Sequence, residues 1–287
     1  MSTYLQDSDH VEPSSADILT WAFWEQWALR GDKPSELLNN LRNDGRIAFF
    51  PELAAMINVP QDPEWHPEGD VWRHTLLVCD AAADIAGKEQ LLQADVVVLL
   101  LSSLCHDVGK PVTTTFQDGR WRAHGHPEAG VPFAEAFLIR IGCPGEIVAK
   151  ILPLVAEHLV HANPAGGNSA IRRLLRRLQP ATISELKRLI QADLRGRPPL
   201  DGDLPESVVD FLARAEKLSI APLDDKDARR TGIITGQHLI ALGLKPGQLF
   251  RLLLEASSAA ESRGEFDNET EGLEFIRREI SRSCSSD

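Results

Sequence analysis

The side chains best suited to bind a metal ion are histidines and aspartates in the middle of the chain. Nine histidines occur in the 287 residues, and six of them lie between positions 74 and 161. The adjacent pair His106-Asp107 is the central feature of this region. An imidazole beside a carboxylate is the ligand combination expected at hydrolytic centres that use Mn, Fe, Zn, Ni or Mg. The pattern therefore predicts a divalent metal site and metal-assisted hydrolysis.

Adjacent residues reach one ion most easily where a helix ends. Inside a helix, neighbouring side chains point about 100° apart, because a turn holds about 3.6 residues. The apolar run before His106 predicts a buried helix over about 94–105, and a glycine and a proline shortly afterwards end it. His74, on the core side of an earlier helix, and Asp193, at the end of a later one, would complete the site. Sites built from facing helices are normal in helical bundles.

His126 and His158 extend the set of candidate metal ligands. They would hold a second ion, with Asp107 as the ligand that both ions share. Lys110 follows Asp107 by one helical turn and would bind a phosphate oxygen as a point charge. Its alternative role is that of an ordinary surface lysine near a helix end. The expected chemistry is attack on phosphorus by a water that one or two divalent ions activate, with Asp107 and Lys110 as catalytic residues.

Besides Lys110, three side chains are assigned to substrate binding: Arg120, Arg122 and His161. The two arginines lie on the second arm of a predicted β-hairpin, where alternation puts both on one face. The roles of His124 and His161 stay open: each is a metal ligand, a neighbour of a ligand, or neither. The remaining histidines are interpreted as structural residues: His10, His66 and His238.

The elements that position these residues are predicted to be helical almost throughout. A helix capped by Asp70 carries His74 and is expected to end at Gly87. A capping box over residues 182–185 opens the helix that carries Asp193. An Asp-Gly pair between two short β-prone runs predicts a single β-hairpin. The fold class is therefore all-α, a helical bundle with one small β-hairpin and a C-terminal helical extension.

Four segments are predicted along the chain. Polar and acidic residues at the start indicate a disordered N-terminus over 1–15. An N-terminal helical segment follows over 16–60, the metal-binding domain covers 61–200, and a C-terminal helical region covers 201–287. Frequent Pro, Gly and Asp residues over 196–205 favour a linker at the last of these boundaries.

The formal net charge of −12 argues against a general nucleic-acid binder, because phosphate binding draws on Lys and Arg. The charge is uneven, however, and basic side chains outnumber acidic ones over residues 165–200. A predicted helix there carries four arginines, which would either contact RNA or form a solvated face. These arginines are Arg172, Arg173, Arg176 and Arg177.

The composition also predicts a cellular compartment. Four cysteines without paired spacing indicate reduced thiols, and they support neither a zinc ribbon nor a disulfide framework. The first residues do not resemble a signal peptide. The longest strongly apolar run, Val96–Leu101, is much shorter than the ~20 residues of a membrane span. We therefore expect a cytoplasmic protein without membrane contact, and the sequence leaves its oligomeric state open.

The set formed by His74, His106-Asp107 and Asp193 resembles that of the HD superfamily of metal-dependent phosphohydrolases. More specifically, the chain is similar to the HD and C-terminal regions of bacterial CCA-adding enzymes, which are tRNA nucleotidyltransferases. The stretches that carry this resemblance are residues 60–72, 74–76, 104–111, 125–126, 130–132, 157–158, 192–193 and 235–247.

This resemblance implies a divalent metal cofactor and hydrolysis of nucleotide phosphate esters, such as 2′,3′-cyclic nucleotides and 2′-phosphates. It does not extend to CCA addition, because the Gly-Ser loop of the nucleotidyltransferase head does not occur before His74. One alternative is an RNA-binding module, directed at tRNA, that lacks catalysis. Another is a structural protein stabilised by metal with closed coordination. The metal's identity and the number of ions stay open.

Overall fold

A computed structural model describes residue 14 and residues 16–162, 167–200, 202–220, 233–262, 265–266 and 268–284, except for the side chains of 169, 262 and 282–284. Apart from Ser14, the predicted disordered segment 1–15 lies outside the described residues. The described chain is mainly helical and contains one two-stranded sheet, which confirms the predicted all-α class. The proposed boundaries at 60 and 200 stay predictions.

Helices are numbered here in chain order. The first group is α1 Trp21–Leu29, α2 Pro34–Asn43, α3 Pro51–Ala54, α4 Val71–Glu89, α5 Gln93–Cys105, α6 Lys110–Thr113, α7 His126–Arg140 and α8 Gly145–Glu157. The second group is α9 Asn168–Leu178, α10 Ile183–Arg195, α11 Glu206–Ile220, α12 Gly236–Ala241, α13 Gln248–Ser262 and α14 Glu269–Cys284. Short 3-10 helices cover Asp17–Leu19, Arg46–Phe49 and His158–Ala162.

The chain divides into two compact units. The first comprises residues 1–163 and 178–210, and the second comprises 164–177 and 211–287. The first unit therefore contains all the candidate metal ligands. The second contains most of the basic helix α9, together with a separate apolar core that includes Leu239 and Phe266.

Helix α5 is the central element of the first unit. It packs against α1, α4, α8 and α10, and its residues from Val97 to Cys105 are all buried. This burial on every side is what its apolar composition predicts. Beside it, the ring of Trp24 makes edge-on contacts with Phe50 and Phe137, at centroid distances of 5.1 and 5.0 Å. The His106-Asp107 pair thus follows a helix that is buried on every side along its second half.

One stretch among the described residues, Gln93–Thr113, is long and apolar enough to cross a membrane by length and composition alone. However, 78% of its most apolar window is buried inside the protein. Core helices of soluble proteins meet the same criterion, so the stretch is weak evidence for a membrane span.

The ends of helix α4 show how local sequence fixes its length. Asp70 caps its start as predicted, because the carboxylate accepts the backbone N–H of Arg73 at 2.8 Å. The prediction that Gly87 ends the helix is wrong. The helix continues to Glu89, and Gln90 adopts the left-handed conformation that closes it. The backbone N–H of Leu91 then reaches the carbonyl of Ala86 at 3.0 Å, as in a Schellman motif.

The predicted β-hairpin forms with strands β1 Thr115–Gln117 and β2 Arg120–Arg122. Both turn residues, Asp118 and Gly119, have positive φ angles of 51° and 77°, as a type I′ turn requires. The capping box at the start of α10 also forms as predicted between Thr182 and Glu185. This helix carries Asp193 toward the end of α5.

Candidate metal centre

Four donor atoms converge on one side of Asp107. Nε2 of His106 lies 3.3 Å from both Nε2 of His74 and Oδ2 of Asp107. Nε2 of His74 lies 3.1 Å from Oδ1 of Asp193. Metal–ligand bonds of about 2.1 Å place the donor atoms of one ion roughly 3–4 Å apart. These four buried side chains therefore have the spacing needed to surround one cation. We call them the inner group.

Two histidines converge on the other side of the same carboxylate. Oδ1 of Asp107 lies 3.0 Å from Nε2 of His126 and 3.8 Å from Nε2 of His158. The two Nε2 atoms are 3.2 Å apart. His126 and His158 with Oδ1 of Asp107, which we call the outer group, could hold a second cation. Asp107 belongs to both groups and would be a ligand in each of them.

The turn after α5 brings these groups together. Helix α5 ends at Cys105, and a hydrogen-bonded turn over residues 106–109 lets His106 and Asp107 face the same space. Gly109 is required at this place, because a Cβ atom there would lie 2.2 Å from the carbonyl oxygen of His126. The missing side chain therefore allows the start of α7 to approach Asp107. The motif His-Asp-x-Gly thus positions ligands from two helices.

The proton on each ring follows from what its second nitrogen contacts. Nδ1 of His106 lies 2.7 Å from the carbonyl oxygen of Ser103. His126 and His158 make the same contact with the carbonyls three residues before them, at 2.8 and 2.7 Å. A carbonyl oxygen only accepts, so each Nδ1 carries a hydrogen and each neutral ring has its lone pair on Nε2.

These lone pairs point at each other across short distances. The Nε2 atoms of His126 and His158 are 3.2 Å apart, and a proton or a metal cation there would offset the repulsion between their lone pairs. Burial, together with the neighbouring His126, lowers the pKa of His158 to about 3, so protonation of this ring is unfavourable at neutral pH. Burial alone would raise the pKa of Asp107, but His106 and Lys110 hold it well below its usual range. Neutral imidazoles and ionised carboxylates are what a divalent cation requires.

A cavity of about 650 Å³ opens on the outer group. Its lining includes Asp107, His126, His158 and Asp193, whereas His74 and His106 lie behind them. This volume falls within the usual range for small-molecule sites. The cavity therefore reaches the outer group directly, and it reaches the inner group only at Asp107 and Asp193, because the two imidazoles of that group are enclosed by protein.

The residues predicted to bind substrate all line this cavity, with different partners. Lys110 is buried, with Nζ 2.6 Å from Oδ2 of Asp107, and it donates to Oε1 of Gln61 at 2.6 Å. Arg120 is bonded to Asp62 and Glu64, so its charge is already paired. Three further lining residues are Arg122, His124 and His161. Nδ1 of His161 contacts the carbonyl of His158 at 2.9 Å.

Sequence reasoning missed three residues next to the candidate ligands. His66, interpreted as structural, forms a cluster with Glu68 and His74. Arg197 pairs with Oδ2 of Asp193 at 2.7 Å and lines the cavity. A signal existed for Arg197, because it follows Asp193 by four residues. For Glu68 the signal was weaker, since its loop gives no periodic pattern.

Comparison with known proteins matches the stretch of the chain that contains this site. The family model of the HD domain matches residues 71–193, from the first residue of α4 to Asp193. This stretch contains all six candidate ligands. Residues 71–193 therefore match the HD domain, and the predicted resemblance is confirmed.

A particular relative extends the similarity. The multifunctional CCA protein of Cupriavidus metallidurans is 32% identical over 182 residues, which cover 61% of this chain and 42% of that protein. The predicted similarity to CCA-adding enzymes is thus confirmed. The chain spans less than half the length of this curated relative.

Proposed function

We propose that the protein is a metal-dependent phosphohydrolase that hydrolyses nucleotide phosphate esters, such as 2′,3′-cyclic nucleotides or 2′-phosphates. The observation that carries this proposal is the convergence of four imidazole Nε2 atoms on Asp107 at one end of a cavity. The HD domain supports the same class of reaction. A purely structural metal site has closed coordination and needs no such cavity.

A divalent cation at these ligands would supply an acidic water for attack on phosphorus and would offset charge on the phosphoryl oxygens. The protein's own residues then have separate tasks. Asp107 offers one oxygen to each group of ligands. Lys110 places a positive charge beside that carboxylate at the cavity wall, where it can bind a phosphate oxygen.

Other lining residues suit the rest of a nucleotide. Trp65 and Trp121 line the cavity with partly exposed rings, and an indole ring can stack on a nucleobase. Burial lowers the pKa of His161, so its ring is neutral at pH 7. Arg197 adds a second positively charged side chain, next to Asp193. The cavity thus combines charge for a phosphate with an aromatic surface for a base.

The test compares two isosteric variants on a substrate panel. Chelator-stripped protein is supplied with Mn²⁺ or Ni²⁺ and assayed on 2′,3′-cyclic AMP, adenosine 2′-phosphate and a generic phosphodiester. We expect Asp107→Asn to reduce hydrolysis by about 100-fold or more, because it removes the charge between both groups. The matched control is Asp80→Asn, which alters a carboxylate that binds Ser35 and is expected to leave hydrolysis unchanged. Hydrolysis that is the same in both variants would contradict the proposal.

A second candidate function is binding of RNA, specifically tRNA, without catalysis. The similarity to a CCA protein and the arginines of α9 favour it. Arg173 is buried and pairs with Glu261 at 3.6 Å, whereas Arg176 is exposed. This candidate predicts RNA affinity that falls steeply with salt and does not depend on bound metal. Metal-dependent hydrolysis that is lost in Asp107→Asn would favour the enzyme.

A further inference from the structure

We infer that Glu68 and His66 are positioning residues that fix His74 as a metal ligand, an inference that rests on the proposed metal site. Glu68 lies in the loop before α4, and its side chain is 1% exposed. Its Oε1 atom is 2.7 Å from Nδ1 of His74 and 2.8 Å from Nδ1 of His66. One carboxylate oxygen therefore joins the two rings, whose centroids are 4.7 Å apart.

His74 differs from the other candidate histidine ligands in its position along its helix. His106, His126 and His158 lie at helix ends, and each contacts the carbonyl three residues before it through Nδ1. His74 lies inside α4, where the corresponding carbonyl, that of Val71, accepts the hydroxyl of Thr75 at 2.9 Å. Nδ1 of His74 instead lies 2.7 Å from a side-chain carboxylate oxygen, Oε1 of Glu68.

A carboxylate in this position has two consequences for the ligand. With a metal at Nε2, which faces Asp107 and Asp193, the ring would carry its hydrogen on Nδ1, 2.7 Å from Oε1 of Glu68. The carboxylate also makes the imidazole a stronger donor to a metal, as carboxylate partners of metal-bound histidines do in general. The inner group then includes one ligand whose orientation depends on an acidic side chain.

His66 holds the same carboxylate from the cavity side. It lines the cavity, and its side chain is 14% exposed. Because Oε1 of Glu68 serves both rings, loss of His66 would leave the carboxylate held from one side only. His66 is therefore expected to have a smaller effect on metal binding than Glu68.

The experiment measures Mn²⁺ affinity of the full chain by competition with a chelating indicator, alongside thermal unfolding. We expect Glu68→Gln to weaken Mn²⁺ binding by about 10–100-fold, the usual effect of removing a partner of a metal-bound histidine. The matched control is Glu52→Gln, a second buried glutamate that pairs with Arg140 at 2.7 Å. It loses an ion pair of its own, so it reports any general cost to stability, and its Mn²⁺ affinity is expected to be unchanged.

A second pair of variants decides the matter if Glu68→Gln does not fold. His66→Ala should weaken Mn²⁺ binding by several-fold. His66→Asn should restore it, because its amide supplies an N–H near the place of Nδ1. Equal Mn²⁺ affinity in Glu68→Gln and Glu52→Gln, or no difference between His66→Ala and His66→Asn, would overturn the inference while leaving the proposed function intact. Failure of the unaltered chain to bind Mn²⁺ would instead overturn both.

Discussion

The two sides of Asp107 present the same kinds of donor atom in different surroundings. The inner group has two imidazoles and two carboxylates; its imidazoles lie behind the cavity lining, and one of them, His74, lies beside Glu68. The outer group has two imidazoles and one carboxylate oxygen, and it opens on a cavity of about 650 Å³. One carboxylate thus separates an enclosed cluster of donors from an open one.

This difference indicates a division of tasks under the proposed function. An enclosed group with four protein ligands is suited to retain an ion, whereas a group with free positions is suited to bind water and substrate. Variants on each side should therefore have different effects on metal retention and on turnover. His106 and His126 allow a matched comparison, because both lie at helix ends and both contact a backbone carbonyl through Nδ1.

The largest effect is expected on the inner side. His106→Ala removes one of the four donors of the inner group, which all lie within 4.0 Å of another member. We expect the tightest Mn²⁺ site to weaken by about 100-fold or more, with hydrolysis lost in parallel. Isothermal titration calorimetry on chelator-stripped protein measures this directly. An unchanged Mn²⁺ affinity of the tight site would contradict the distinction between the inner and outer groups.

On the outer side, His126→Ala is expected to leave the tight site in place. It removes a donor that faces the cavity. The occupancy of the second ion's site and the turnover number should therefore decrease, while one ion per chain stays bound. Metal analysis after gel filtration, combined with steady-state kinetics, separates these outcomes. If His106→Ala and His126→Ala lost metal equally, the division of tasks would be wrong.

Lys110 allows a test of the boundary between metal binding and substrate binding. Lys110→Met keeps the aliphatic stem and removes the ammonium group near Asp107. We expect KM for a phosphate ester to rise by about 10-fold, in line with loss of one charge-assisted hydrogen bond, with metal content unchanged. The control is Lys88→Met, whose exposed ammonium pairs with Asp84 far along α4. A lower metal content with unchanged KM would assign Lys110 to the metal site.

The smallest effect is expected away from the site, at the contact between α8 and α10. Burial alone would raise the pKa of Glu185, but the hydrogen bond from Lys150 at 2.9 Å helps to hold this pKa below its usual value of 4.5. The contribution to stability is therefore present above pH 4.5 and is lost as the pH falls through the lowered pKa. Glu185→Gln should lower the free energy of unfolding at pH 7 by about 0.5–1 kcal/mol, since Lys150 is partly exposed. Urea unfolding should show that this difference narrows at pH 3, and a difference that persists there would rule out the ion pair as its cause.

Local sequence rules predicted the elements that carry the ligands well, because their signals lie within a few residues. The caps at Asp70 and Thr182 and the Asp-Gly turn act over one helical turn or less. The prediction for the end of α4 was wrong for a related reason. Both Gly87 and Gln90 lie near the end, and the contact of Leu91 with the core accompanies closure at the later position.

Much of the candidate site followed from residue types, but its supporting contacts did not. His106 and Asp107 are adjacent in sequence, so their joint role was visible. Glu68 and His66 lie in a loop where no periodicity indicates burial, and only the fold places their side chains against His74. Such partners depend on contacts between separate elements, which a single sequence does not specify.

The most direct test of the central claim is a Mn²⁺ titration of chelator-stripped protein by calorimetry, with Asp107→Asn beside it. We predict a tight site and a weaker site per chain in the unaltered protein, because Asp193 gives the inner group a fourth donor whereas the outer group has three. Asp107→Asn, which alters the ligand common to both groups, should weaken both sites together. Absence of binding, or identical titrations of the two proteins, would contradict a metal centre built on Asp107.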